Sequence, residues 1–257
     1  MKWISILQFS LLWFCFSAAQ AQTLQILSYN IHHGTNKEEV NTLDEIAAFI
    51  KTSKADLVGL QEVDSVCTRS GKIDQMKRLA ELTGMHYVFV RHFAYQGGAY
   101  GLGILSRFPI QDIKNDRIIT LLKKNEAGKQ SLALLWAKIK VSDDNEIVFS
   151  TVHFGLDQAS RMLQAKEVLN YLKSSLPVVL TGDLNAGPEA KEINLLRGYF
   201  LDTDLSAAFT FPFDKPVKKI DYIFVNNSRL RKVKETKVWN TVYSSDHLPF
   251  SSKVMLR

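Results

Sequence analysis

Apolar runs in this chain repeatedly end in a polar residue of a type that holds cations or moves protons. Asn30 follows Leu24–Tyr29, Glu62 follows Asp56–Gln61, His153 follows Ile147–Val152, and Asp183 with Asn185 follow Val178–Leu180. Asp221 and the Asp246-His247 pair adjoin the last apolar runs. The carboxylates of Glu62, Asp183, Asp221 and Asp246 and the amide oxygens of Asn30 and Asn185 are hard donors, and the chain has no Cys/His cluster at zinc-ligand spacing. This donor set points to Mg²⁺, with Mn²⁺ or Ca²⁺ as alternatives. Mg²⁺ takes one or two carboxylates, keeps several waters and fills the rest of its shell with substrate phosphate. A phosphate ester is therefore the expected substrate, the cation offsetting charge on its phosphoryl oxygens.

His153 and His247 add groups that titrate near neutral pH and can donate protons to phosphate oxygens or hold them as imidazolium. Each imidazole needs an orienting carboxylate. Asp246 is adjacent to His247, but neighbouring side chains on an extended segment point opposite ways. Asp221 is thus the expected partner of His247, leaving Asp246 to face the metal or the attacking water. Taken singly, every one of these residues has a plainer reading: a strand-end carboxylate caps the next helix, a buried histidine is hydrogen-bonded core, and Asn30 before Ile31-His32-His33-Gly34 opens a turn. Competing phosphate motifs fail. Gly101-Leu102-Gly103 meets Ser106 where a third glycine belongs, Gly182–Gly187 leads into Pro188-Glu189 and not Lys-Ser/Thr, and no G-x-S-x-G elbow occurs.

These residues lie far apart in sequence, so elements must carry them together. Leu24–Asn30 and Leu57–Gln61 read as strands around a helix over 41–53 (Leu43, Ile46, Ala47, Ile50). A helix over 72–83 follows, then strands near 86–92, 101–106, 110–121, 130–141 and 145–153, whose short connections favour antiparallel pairing. Residues 157–174 are amphipathic, Pro177–Leu180 is a short apolar strand, and strands recur at 220–225, 232–238 and 249–255. Helices alternate with strands at both ends while strands crowd the middle, which predicts two packed sheets with helices outside. Ligands of such folds gather where loops leave the strands, so the polar strand ends can converge at one edge.

The composition, 46% hydrophobic and 23% charged over 257 residues, is that of a globular protein and excludes disordered, collagen-like and disulfide-scaffold classes. A formal net charge of +6 favours acidic partners such as phosphate esters, nucleic acid or anionic lipid. Met1-Lys2, an apolar stretch over 3–18 and Ala19-Gln20-Ala21 predict a signal peptide over 1–21, hence an exported protein, periplasmic or extracellular, whose functional domain is 22–257. The stretch falls short of the roughly 20 residues of a spanning helix. Trp13-Phe14 before Cys15 do not suit lipoprotein cleavage. Cys67 is then the only cysteine left, so the fold must rest on its apolar core.

Read jointly, Leu27-Ser28-Tyr29-Asn30-Ile31, Leu60-Gln61-Glu62-Val63-Asp64, Gly101-Leu102-Gly103-Ile104-Leu105-Ser106-Arg107-Phe108-Pro109, Thr151-Val152-His153-Phe154, Thr181-Gly182-Asp183-Leu184-Asn185, Asp221-Tyr222-Ile223-Phe224 and Ser245-Asp246-His247-Leu248-Pro249-Phe250 resemble the endonuclease/exonuclease/phosphatase superfamily in type and order. The resemblance implies a DNase I-like α/β fold, a four-layer α/β/β/α sandwich of two mixed sheets flanked by helices, with an Mg²⁺-dependent phosphoesterase site at one edge. It further implies Glu62 as principal metal ligand with Asn30 and Asp246 nearby, Asp183 as the group that orients or deprotonates water, and Asn185 as a phosphoryl-oxygen ligand. His247 supported by Asp221 would bind phosphate, and His153 would donate a proton. Tyr100, just before the glycine-containing block, and Arg107 within it are substrate-binding candidates. One departure stands out: some relatives pair the His153 counterpart with an acid just before that block, yet no Asp or Glu occurs from Leu82 to Gln111.

The expected activity is water attack on phosphorus by a phosphodiesterase or endonuclease, with nucleic acid or a peripheral membrane lipid as compatible partners and no obligate protein partner. A sphingomyelinase-like phospholipase, an inositol- or sugar-phosphate phosphatase, and a non-catalytic phosphate-ligand-binding protein are the alternatives. Phe209-Thr210-Phe211-Pro212-Phe213 reads as a membrane hairpin or as pocket wall. The basic groups Lys123-Lys124, Lys215/Lys218/Lys219 and Arg229–Lys237 read as solvated faces or a polyanion rim. A glycosidase would use paired carboxylates but would not need the Asp183-Asn185 and Asp246-His247 groupings.

Overall fold

Capping chemistry sets the helix boundaries. The computed structural model describes residues 22–121, 131–204, 206, 208–226 and 230–256; the expected signal peptide and Lys123-Lys124 lie outside them. Helix α1 (Leu43–Ser53) starts with Asp44 and Glu45 against its positive end and stops at Lys54, whose φ of 54° is left-handed. Helix α2 (Gln75–Thr83) opens on Asp74, whose carboxylate accepts the Lys77 N–H, and closes on Gly84 at φ 72°, a conformation that suits glycine. Helix α3 (Gln158–Tyr171) is capped likewise by Asp157 accepting from Ser160 N–H. A short α4 (Lys191–Arg197) completes the set.

The strands are β1 (Gln22–Asn30), β2 (Leu57–Ser65), β3 (His86–Tyr95), β4 (Gly98–Ser106), β5 (Ile110–Ile119), β6 (Ser131–Lys140), β7 (Glu146–His153), β8 (Val178–Asp183), β9 (Leu201–Asp202), β10 (Asp221–Val225), β11 (Leu230–Val238) and β12 (Phe250–Leu256). They form two six-stranded sheets, ordered β11-β12-β1-β2-β4-β3 and β5-β6-β7-β8-β10-β9. β1–β2 and β7–β8 are parallel pairs and the remaining pairs are antiparallel, so both sheets are mixed. Ile26, Leu57, Ile104, Leu135, Phe149 and Ile223 fill the space between them. Helices α1 and α2 cover the first sheet through Ile46, Ile50 and Leu79 on Tyr29 and Leu60. Helices α3 and α4 cover the second through Val168 and Leu196 on Val152 and Tyr222. This is the predicted four-layer α/β/β/α sandwich.

Register then aligns the polar strand ends. Asn30 lies opposite Gln61 in the β1–β2 pair, His153 opposite Asp183 in β7–β8, and Asp183 opposite Asp221 in β8–β10. The sheets are drawn together beneath this edge: Gln61 Nε2 donates to Thr151 Oγ1 across the interface at 2.7 Å, and a Cβ on Gly59 would meet Thr181 Oγ1 at 2.0 Å. Three features depart from the sequence reading. α4 and β9 were not expected, and β2 continues past Glu62 to Ser65. The extension is possible because a bulge between Leu60 and Val63 in the pairing with β4 places Glu62 at φ 59°.

Candidate active site

The bulge turns Glu62 out of the ladder and into a cavity of about 500 Å³ whose walls include His153, Asp183, Asn185, Asp246 and His247. Asn30, buried behind Glu62 and Asp183, ties them together. Its Nδ2 donates to Glu62 Oε1 at 3.0 Å and to Asp183 Oδ2 at 3.1 Å, joining the first sheet to the second, and lies 3.4 Å from His247 Nε2. Asn30 Oδ1 accepts the His32 N–H at 3.1 Å, so the oxygen expected to face a cation is turned away; meeting one requires a flip of the carboxamide.

The pairing of His247 follows the alternation argument. Its Nδ1 lies 3.0 Å from Asp221 Oδ2, which also accepts from Thr210 Oγ1 at 2.5 Å, while Asp246 lines the cavity instead. His247 Nε2 lies 3.6 Å from Asp183 Oδ2. Asp183, Asp221 and His247 are all buried and form one potential cation-holding cluster. The second oxygen of Asp221, Oδ1, is buried and has no hydrogen-bond partner among the described residues, a cost retained at the site. Asp183 is fixed at both oxygens, since Oδ1 accepts the Asn185 N–H at 2.9 Å.

The electrostatics follow from this crowding. Burial raises the Asp183 carboxyl above the usual range; Asp221 adds to the rise, against the pull of His247 and His153. Burial opposes charging His247, but Asp221 and Asp183 outweigh it and lift its pKa to about 10. Burial also pushes the Glu62 carboxyl up, yet His153, the Asn30 amide, His247 and His32 bring it below the usual value. The site therefore holds an ionised Glu62 and a charged His247 beside a carboxylate of raised basicity.

His153 Nε2 lies 3.1 Å from Asn185 Nδ2 and 3.5 Å from Asp183 Oδ2, which supplies the partners the sequence left open. Asn185 reaches this position at φ 48° and also donates to Phe154 O. Tyr100 borders the cavity, with burial and Glu62 holding its hydroxyl protonated. Arg107 is not at the site. It follows the far end of β4, where Ser106 pairs with Leu57 at the start of β2, and its guanidinium lies 3.8 Å from Asp56. The antiparallel run of β4 carries Tyr100 to the site and Arg107 to the opposite end. Lys219 is also corrected: it is buried, 3.1 Å from Asp204 Oδ2, and forms no rim, whereas Lys218 does border the cavity. Phe211 is pocket wall, its ring centroid 4.7 Å from that of His247.

His92 was missed. It borders the cavity, its Nδ1 accepts the Ala133 N–H at 2.7 Å, and burial, with His153 and Arg117, keeps the ring neutral. Nε2 is buried without a partner among the described residues. It lies mid-strand in Val90-Arg91-His92-Phe93, where only a polar residue in phase with Val88 and Val90 could have drawn attention.

Comparison with known proteins agrees with the fold. The model of the Endonuclease/Exonuclease/phosphatase family matches residues 27–247. The YbhP protein of Escherichia coli (strain K12) is 26% identical over 254 residues, covering 92% of this chain and 98% of its own. A crystal structure of a family protein from Bacteroides thetaiotaomicron superposes with a TM-score of 0.74 at 21% identity, covering 93% of this chain and 99% of that one. A mannosyl-6-phosphatase from Bacteroides thetaiotaomicron VPI-5482 gives 0.70 at 21% identity, covering 91% and 100%.

Proposed function

The chain belongs to the endonuclease/exonuclease/phosphatase family, whose members are phosphoester hydrolases, and from that premise we propose that it is an exported, divalent-metal-dependent phosphodiesterase. One observation carries the proposal: Asn30, Glu62, Asp183, Asp221 and His247 meet in one hydrogen-bonded group that joins both sheets, and Glu62, Asp183 and His247 of that group line one cavity. The donor set fits a hard cation, because Glu62 and Asp246 both present carboxylate oxygens at the cavity and Glu62 is held ionised. Glu62 and Asp246 would hold Mg²⁺, or Mn²⁺ or Ca²⁺, with Asn30 after its flip. Such an ion supplies charge compensation at the phosphoryl oxygens when bound.

The protein groups do the rest. Asp183 Oδ2 takes the proton of the attacking water; its raised basicity suits that task, and the bonds from Asn30 and Asn185 fix its direction. His247, charged and oriented through Nδ1 by Asp221, stabilises a phosphoryl oxygen. Asn185 holds a second phosphoryl oxygen, and His153 on the same wall delivers a proton to the leaving oxygen. Attack is direct, without a covalent enzyme intermediate, so positioning and charge stabilisation provide the acceleration.

A sugar-phosphate phosphatase is the second reading, favoured by the mannosyl-6-phosphatase of the same fold and by a cavity with Phe154 and Phe211 in its walls. Export is supported by the leader-like start of the chain, and the net positive charge supports anionic partners, nucleic acid or a lipid surface. The test is hydrolysis by purified protein of DNA, RNA, sphingomyelin, phosphatidylinositol phosphates and sugar phosphates, each run beside the Asp183→Asn variant. Diester turnover lost in the variant is the expected result. Turnover of sugar phosphates alone would select the second reading, and no variant-sensitive turnover of any ester would reject both.

A further inference from the structure

Directly after Asn30 the chain makes a tight 3₁₀ turn, His32–Gly34, in which His32 and His33 both adopt left-handed backbone conformations, at φ 42° and 44°. Such conformations are strained for non-glycine residues and persist only where the surroundings fix them. Here they are fixed. Gly34 N–H donates to Ile31 O at 2.8 Å, Thr35 N–H to His32 O at 3.0 Å, and the buried Gln75 carboxamide donates to His33 O at 2.5 Å. A Cβ at Gly34, itself at φ 75°, would meet Gln75 Nε2 at 2.6 Å, so glycine is required for the turn to seat against that side chain.

The turn aims both imidazoles at one carboxylate. His32 Nε2 lies 3.2 Å from Glu39 Oε1 and His33 Nε2 2.9 Å from Glu39 Oε2, with the ring centroids 4.4 Å apart. One ligand atom from each of the three residues falls within 4.8 Å of the others. A tetrahedral ion with bonds of about 2.0–2.2 Å spaces its donors by about 3.4 Å, near the 3.2 and 2.9 Å that separate each imidazole nitrogen from the Glu39 carboxylate. Adjacent histidines on regular backbone would diverge; two consecutive left-handed residues are what make them converge, and so no zinc-ligand spacing was visible in the sequence. The opposite nitrogen of His32 is also placed: Nδ1 lies 3.5 Å from Asp246 Oδ1 and 3.9 Å from Glu62 Oε2. An imidazole ligating through one nitrogen characteristically gives its other N–H to a carboxylate, which fixes ring and tautomer.

We propose that His32 Nε2, His33 Nε2 and a Glu39 carboxylate oxygen form a second cation site, selective for a borderline-soft transition ion of the Zn²⁺ class and separate from the hard-oxygen centre at Glu62 and Asp246. Two imidazoles and one carboxylate are the donors such an ion takes when it keeps an open position, whereas Mg²⁺ prefers oxygen donors alone. Ligation at Nε2 commits the proton of His32 to Nδ1, facing Asp246.

The test is Zn²⁺ binding by calorimetry, and Co²⁺ binding by its visible absorption, to chelator-stripped full-length protein in excess Mg²⁺. One Zn²⁺ per chain is expected in the parent and in Glu62→Gln, with affinity at least about tenfold weaker in His33→Ala and in Glu39→Gln. Glu39 is 64% exposed, so its variant probes the site without disturbing the core, and thermal unfolding of the metal-free proteins checks that point. Absence of Zn²⁺ binding in the parent overturns the proposal. So does parent-like affinity in both outer-site variants, or binding lost in Glu62→Gln and kept in Glu39→Gln.

Discussion

Two concavities lie at opposite ends of β1 and β2, of about 410 and 500 Å³, and both are lined by charged side chains. At the far one, Lys54, Glu235, Lys237 and Lys253 are exposed, and Asp56 is half-buried and accepts the Gln25 N–H at 2.8 Å. Water and counter-ions screen such groups, so they have little to give a reacting phosphate. At the near one, Asp183 and Asp221 are 1% exposed and His247 4%, and their charges act on one another directly. Similar residue types and similar volumes thus differ in the property that matters for chemistry, which is desolvation around fixed partners.

Substitution at each end gives the sharpest contrast. Asp183→Asn should lower kcat by about 10²–10⁴-fold, because it removes the base while keeping the shape. Asp56→Asn should leave kcat within about twofold, as an acid outside the reacting cavity. A near-normal rate for Asp183→Asn would reassign that carboxylate to structure. His247→Gln should cost about 10²–10³-fold, the usual effect of losing one preorganised donor to a transition-state oxygen. The counterpart change, Lys237→Gln at the far concavity, should be silent in a steady-state assay.

A smaller effect concerns pH and stability in chelated protein. The His247 pKa rises from about 6.5 in the unfolded chain to about 10 in the fold. The proton is bound more tightly by the folded state, so its stabilisation is complete below about pH 6.5 and falls away as pH climbs through about 10. The urea midpoint of the parent should decline relative to that of His247→Gln between pH 7 and 10. Parallel curves for the two proteins would show that the imidazole is not held charged.

Much of this was readable in the chain because strands deliver their last residue to a common edge. Asn30, His153 and Asp183 are such residues, Asp221 reaches the same edge as the first residue of the antiparallel β10, and register alone aligns His153, Asp183 and Asp221. The assignment of Asp221 to His247 followed from alternation and is matched by the 3.0 Å contact. What stayed hidden depends on departures from regular backbone or on strand direction. The bulge at Glu62 and the left-handed pair His32-His33 have no periodic signature. Arg107 belongs to a recognisable block, but β4 runs away from the site by the time it is reached. Lys219 looked solvated because its partners Asp202 and Asp204 arrive from an unexpected strand and the loop after it. His92 is in phase with the buried Val88 and Val90 of edge strand β3, so alternation reads it as core and does not say that the inward face meets a cavity there.

The central claim is that Glu62 and Asp246 hold a hard cation beside Asp183 and His247, and that phosphoester cleavage depends on it. The most direct measurement is the rate of phosphodiester hydrolysis by one preparation before EDTA, in EDTA, and after Mg²⁺ or Mn²⁺ is restored. Activity abolished by chelation and recovered with the ion is the predicted result; full activity in the chelator would contradict the account.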